Sequence, residues 1–311
     1  MRIILVTGAA GFLGTHLCLR LLQDKEASVV GIDSLISGSK KNLDDLVKNK
    51  NFKFIKQDIC QPLNLKGKID QIYNLACPAS PPDYQKYPLE TLMTCSVGVK
   101  NLLDLAVGKK AKFLHTSTSE VYGDPLEHPQ KESYWGHVNP IGERSCYDEG
   151  KRFAESLIEN YRKKFNLETK IVRIFNTYGP RMRAWDGRVV SNFINQALQG
   201  KDLTVYGDGS QTRSFCFVED MVEGLIKMMN SQESGPINLG NPNEFTVKRL
   251  AQLVITKVNP KLKMVFNPLP KDDPQKRKPD ISLAKEVLGW QPKTQLEKGI
   301  EKTIEYFKKE R

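Results

Sequence analysis

Short apolar runs of strand length recur along the first half of the chain: Ile3–Thr7, Val29–Asp33, Phe52–Gln57, Gln71–Leu75, Phe113–Thr116 and Ile171–Phe175. Between them lie longer stretches, Thr15–Gln23 and Leu92–Ala106, whose apolar residues return every three to four positions, the period of a helix with one buried face. Strand–helix alternation of this kind predicts an α/β fold with a doubly wound, Rossmann-like parallel sheet. Beyond Gly179-Pro180 the pattern changes to helical stretches at Val190–Gln199 and Lys248–Lys257 and a short strand at Leu203–Tyr206. We therefore expect a nucleotide-binding domain over residues 1–178, with later segments returning to it. A smaller, discontinuous substrate lobe is expected mainly from residues 179–311.

Composition narrows the function classes. A chain of 311 residues can bury one large core or form two lobes around a cleft. No apolar stretch approaches the roughly 18 residues of a membrane span, so no membrane association is expected. The first strand-like run starts at Ile3, which leaves no room for a leader and predicts a cytoplasmic protein. The net charge of +11 raises the question of nucleic acid. Its lysines are scattered, as in Lys40-Lys41, Lys109-Lys110 and Lys308-Lys309, with no nucleic-acid-binding signature beside them. A small anionic substrate is the better expectation. The six cysteines form no C-x-x-C pair and no histidine stands at ligand spacing, which predicts reduced thiols and no metal site.

The first turn reads Thr7-Gly8-Ala9-Ala10-Gly11-Phe12-Leu13-Gly14, after a strand and at the opening of a helix. Gly8 permits a tight turn, Gly11 lets backbone approach a pyrophosphate, and Gly14 lets helix and strand pack closely. The helix N-terminus, at Phe12 and Leu13, offers N–H donors to phosphate. Asp33 ends the second strand, where an acid can bond a ribose 2′-hydroxyl and repel a 2′-phosphate, so NAD is expected over NADP. Asp58 and Ile59, after the third strand, are candidates for the adenine edge.

Tyr147-Asp-Glu-Gly-Lys151 places a phenol and an ammonium one helical turn apart. A positive neighbour lowers a phenol's pKa, and the phenolate can take a proton from a sugar hydroxyl. The strand Phe113–Thr116 runs into Ser117-Thr118-Ser119-Glu120. Taken by themselves, Thr118 and Ser119 also read as turn caps and Glu120 as an inert strand-end ion pair. Arg277, in Gln275-Lys276-Arg277-Lys278, also reads as one of several solvated cations.

TGAAGFLG, STSEVYG, YDEGK and RIFNTYGPR together resemble the extended short-chain dehydrogenase/reductase family, which acts on nucleotide sugars. SPPDYQKYPLETL, SYWGHVNPIG, DGRVVSNF, TVYGDGSQTRSF, INLGNP and DDPQKRKPD extend the resemblance over essentially the whole chain. They are similar to the branch that decarboxylates UDP-glucuronate to UDP-xylose with retained NAD. The resemblance implies catalytic roles for Thr118, Ser119, Glu120, Tyr147, Lys151 and Arg277. It implies cofactor contacts from Leu75, Thr94, Tyr147, Lys151, Thr177 and Arg188 besides the glycine turn, and substrate contacts from Asn176, Arg213 and Arg277. It also implies a homodimer through Leu92–Ala106 and Arg152–Lys163. Ser119 stands where related 4,6-dehydratases carry an aspartate acid, so water elimination loses its proton donor. A 4-epimerase or dehydratase on the same scaffold, and a non-catalytic NAD-binding sensor, are the alternatives. Cys77, Met93 and Cys95 depart from the serine, lysine and asparagine usual in the resembled family.

Overall fold

A computed structural model describes residues 1–268 and 276–310. The residues Asp272–Gln275 of the DDPQKRKPD motif lie outside this range. Six strands follow in order: β1 (Arg2–Thr7), β2 (Ala27–Asp33), β3 (Phe52–Lys56), β4 (Gln71–Asn74), β5 (Lys112–Thr118) and β6 (Thr169–Ile174). With Ile237–Leu239 they form one seven-stranded sheet. Its order is β3-β2-β1-β4-β5-β6 and then Ile237–Leu239, all parallel. Order reverses at β1/β4, so the carboxyl ends of those strands open a crevice there.

The alternation of side chains along β1 shows how both faces are buried. Ile4 and Val6 join the core on one face while Leu5 joins the core on the other. The first core is closed by α1 (Phe12–Leu21), by the helix Val218–Asn230 and by the C-terminal helix Leu296–Lys309. The second is closed by two long helical segments. In α4 (Val99–Lys109), Val99, Leu102, Leu103 and Ala106 are buried, and in α5 (Ser145–Phe165), Ala154 and Ile158. The helix expected over Leu92–Ala106 is a composite. It follows the short α2 (Pro81–Lys86) and runs through α3 (Pro88–Met93), a single π-turn at Thr94–Gly98, and α4.

Two features were not legible in the apolar pattern. Ile237–Leu239 is too short to signal a strand, yet it pairs with Val172–Ile174 and extends the sheet. The three-stranded patch made of Glu244–Thr246, Thr212–Ser214 and Lys276–Arg277 is polar, so periodicity has nothing to register. In that patch Arg277 is the register partner of Arg213, 64 positions earlier in sequence. No described helix is long and apolar enough to cross a membrane.

Candidate active site

The carboxyl ends of the central strands open into one cavity of about 670 Å³. At one end lies the glycine turn. Gly8 takes a left-handed φ of +71°, and a Cβ there would stand 2.7 Å from the Leu75 carbonyl oxygen. A Cβ on Gly14 would collide with the Gly8 carbonyl. The turn is therefore closed to larger residues. Gly11 caps α1 without a side-chain hydrogen bond, leaving the helix N-terminus facing the cavity through Phe12 and Leu13. This cradle fits a dinucleotide pyrophosphate.

Asp33 sits at the end of β2, mostly buried. Its Oδ2 accepts from the Ala10 N–H at 3.0 Å and its Oδ1 from the Leu35 N–H at 2.8 Å. Burial raises its pKa against those two bonds. The carboxylate thus braces the glycine turn, and each oxygen retains a second lone pair for a ribose hydroxyl. Asp33, Asp58, Ile59 and Thr94 are not among the residues lining the cavity. Asp58 Oδ1 accepts from the Cys60 N–H at 2.8 Å, and Ile59 is packed beneath Gly98. Leu75, Thr177 and Arg188 do line it. Arg188 is paired with Asp186, which also fixes its direction.

At the cavity's centre, β5 runs to Thr118 and breaks into a 3-10 turn, Ser119–Tyr122, capped by the Thr118 hydroxyl. The strand runs past Thr116 because the backbones of Ser117 and Thr118, though polar in side chain, keep pairing with Arg173 and Ile174 of β6. Tyr147 and Lys151 project from the first turns of α5 and are both buried. The Tyr147 ring stacks on Tyr84, with centroids 5.1 Å apart and planes 10° apart. Lys151 Nζ donates to the Thr116 carbonyl at 2.8 Å and lies 5.8 Å from the Tyr147 ring centroid. The sequence led us to expect a phenol pKa lowered by this ammonium. The structure corrects that expectation for the protein alone: burial, then the Cys77 thiol, hold it well above its ordinary value, and the Thr118 hydrogen bond only partly offsets them.

Glu120 is clamped between two guanidiniums. Its Oε1 accepts from Arg277 and its Oε2 from Arg144. Burial would raise its carboxyl, but Arg277 and then Arg144 outweigh it and hold the pKa below the usual value. Arg277 is 5% exposed, also donates to the Gly123 carbonyl at 3.1 Å, and keeps its Nε without a partner. Such a buried cluster, with more cationic than anionic charge, suits an incoming carboxylate. Asn176, Arg213 and Arg183 line the neighbouring wall.

Sequence reading missed Tyr84, Arg144 and Asp148. Tyr84 stands in the SPPDYQKYPLETL stretch, where an aromatic beside two prolines was the available signal. Arg144 stands three positions before Tyr147, at the N-terminal edge of α5, and that proximity was the available signal. Asp148 is buried, and its Oδ1 has no partner. Burial and the nearby Glu120 charge push its pKa up to about 7. An unfolded aspartate titrates near 3.9, so the folded chain binds the extra proton between those two values. Stability should therefore fall as pH rises from about 4 through about 7. Asp148→Asn should flatten that slope in thermal melts across the same range, and equal slopes in the two proteins would remove Asp148 as its source.

A parallel sheet with a glycine cradle at its first turn and a buried tyrosine–lysine pair at its crevice defines a dinucleotide-binding enzyme of the Rossmann type. A family model described as GDP-mannose 4,6 dehydratase matches residues 5–303. UDP-glucuronic acid decarboxylase 6 of Arabidopsis thaliana is 54% identical over 98% of this chain and 88% of its own length. UDP-glucuronic acid decarboxylase 1 of Danio rerio is 52% identical over 99% of this chain and 73% of its own. The UDP-glucuronic acid 4-epimerase of Bacillus cereus, solved with UDP-glucuronic acid and NAD, superposes with a TM-score of 0.88 at 31% identity, covering 99% of this chain and 100% of that one. The chain belongs to the extended short-chain dehydrogenase/reductase family.

Proposed function

We propose that the chain is an NAD-dependent UDP-glucuronate decarboxylase, a carboxy-lyase that forms UDP-xylose. The observation that carries this reading is the Arg144–Glu120–Arg277 cluster beside Ser119, in a chain more than half identical to relatives named for that activity. NAD bound in the glycine cradle supplies the hydride acceptor and a positively charged ring. Lys151 adds its ammonium near the Tyr147 ring, and both charges oppose the burial that keeps the phenol protonated.

Tyr147 takes the proton from the C4 hydroxyl as C4 is oxidised. The C6 carboxylate is then β to a ketone and leaves as carbon dioxide. Negative charge grows on the C4 oxygen, and the Thr118 and Tyr147 hydroxyls stabilise it by hydrogen bonding. Arg277, with its unpartnered Nε, holds the carboxylate before it leaves. A proton then enters at C5, and C4 is reduced again, so the reaction has no net redox change. Ser119 supplies no acid for loss of a hydroxyl, which disfavours 4,6-dehydration. Asn176 and Arg213 hold the UDP part, with Arg213 placed beside Arg277 by strand register.

Residues 1–178 are read as the cofactor domain and 179–311 as mainly the substrate lobe. We further propose a cytoplasmic homodimer. Its described cysteines are all free thiols, as a reducing compartment favours. Leu92, Met93 and Phe153 expose apolar surface within the segments expected to pair, and Leu89 exposes more just before the first of them.

The test is incubation with UDP-glucuronate, UDP-glucose and UDP-galactose, with the nucleotide sugars identified by mass. UDP-glucuronate should yield carbon dioxide and UDP-xylose carrying one solvent deuteron at C5 in heavy water. UDP-galacturonate as main product, or a 4-keto-6-deoxy sugar from UDP-glucose, would overturn the reading.

A further inference from the structure

Two thiols meet in the cavity wall beside the tyrosine–lysine pair. Cys77 follows β4, lines the cavity and packs against Tyr84, Cys146 and Tyr147. Cys95 is buried in the π-turn between α3 and α4. Their sulfurs are 3.5 Å apart in a thiol hydrogen bond. Cys146, the third thiol nearby, points elsewhere and donates to the Tyr84 carbonyl at 3.5 Å. Cys95 also abuts α5. A Cβ on Gly150, next to Lys151, would stand 3.2 Å from the Cys95 Cβ.

We propose that Cys77 and Cys95 form a reversible redox-modification site, which peroxide or a small-molecule disulfide closes to a disulfide that misplaces Tyr147 and Lys151. With peroxide, the Cys77 sulfur loses its proton and attacks one peroxide oxygen, giving a sulfenic acid and water. The Cys95 sulfur then attacks the Cys77 sulfur, forming the S–S bond as hydroxide leaves and takes up the Cys95 proton to become water. The protein gives up two electrons and two protons, and the peroxide accepts them. Cys77 reacts first because it faces the cavity and Cys95 does not, although the hydrogen bond with Cys95 and then burial hold its pKa well above the ordinary thiol value. The hydrogen bond from Cys77 lowers the Cys95 pKa and Lys151 adds to this, which favours Cys95 as the attacking thiolate. Closure draws the sulfurs from 3.5 Å to about 2.05 Å. The π-turn and α5 are in contact, so the strain falls on the turn that carries Tyr147.

The linkage does not depend on the reaction assigned above, whereas its effect on turnover rests on that reading. Reduced full-length protein would be treated with hydrogen peroxide or oxidised glutathione, alkylated, digested and weighed. The expected result is a linked pair of peptides containing Cys77 and Cys95, reversed by dithiothreitol. UDP-glucuronate turnover should fall by roughly ten- to a hundredfold, the scale that a displacement of about 1 Å produces, and recover on reduction. NADH fluorescence in the oxidised protein gives a cofactor readout that needs no turnover. Cys77→Ser, which lacks the thiol that reacts first, should show neither linkage nor loss when compared with itself before and after peroxide. Absence of the linked peptides in the wild type would overturn the proposal. So would linkage that leaves both turnover and cofactor fluorescence unchanged, or equal inactivation of Cys77→Ser.

Discussion

Tyr147→Phe should lower turnover of UDP-glucuronate by about a hundredfold or more, the low end of what a positioned acid–base group contributes. The variant keeps the ring, so stacking on Tyr84 and burial against the Cys77 wall persist and the protein should fold with a near-normal melting temperature. What it loses is the phenol oxygen proposed to take the C4 proton and later to hydrogen-bond the C4 oxygen beside Thr118. Both steps sit on the path to the transition state, so kcat should fall while NAD affinity stays. Residual activity should show a flattened pH profile, because the titrating phenol is gone. Turnover near that of the parent would reject Tyr147 as the base and shift the search to Lys151 or to water.

Arg277→Ala should reduce carbon dioxide release by roughly a hundred- to a thousandfold, the scale of losing one preorganised donor to developing or reacting charge. The physical reason lies in the double clamp. Glu120 is buried between Arg144 and Arg277, so removing Arg277 leaves one guanidinium still paired with it. The fold therefore survives a change that would cost about 3–5 kcal/mol if it stranded the carboxylate alone. The site nonetheless loses its spare positive charge and the fork proposed to hold the substrate carboxylate. Arg277→Lys restores the charge but not the planar donors, so it should recover little. NAD affinity should change by less than about twofold in either variant, since separated sites act nearly additively. A matching loss of NAD affinity would mean that Arg277 organises the cavity as a whole and does not hold the substrate carboxylate in particular.

Much of this protein was determined by the sequence itself. Short continuous apolar runs separated by stretches of period three to four point to a parallel sheet covered on both faces, because strands apolar on both sides need helices over each face. Gly8, Gly11 and Gly14 announce the cradle, since the left-handed φ at Gly8 and the contact of Gly14 with the Gly8 carbonyl exclude any side chain. The Tyr147–Lys151 spacing is equally local: one helical turn sets it. The tertiary structure decided what depends on residues far apart. Glu120 and Arg277 are 157 positions apart, and only the polar strand pairing of Lys276–Arg277 with Thr212–Ser214 brings the guanidinium to the carboxylate. Ile237–Leu239 joins the sheet only because the β6 edge is there to receive it. The phenol's protonation depends on the tertiary structure for the same reason. The helix spacing gives the distance to Lys151, but the desolvation that outweighs the ammonium comes from Tyr84, Cys77 and Cys146 closing around the ring. Local chemistry fixes which groups can act, and burial by distant segments sets the charge each one carries.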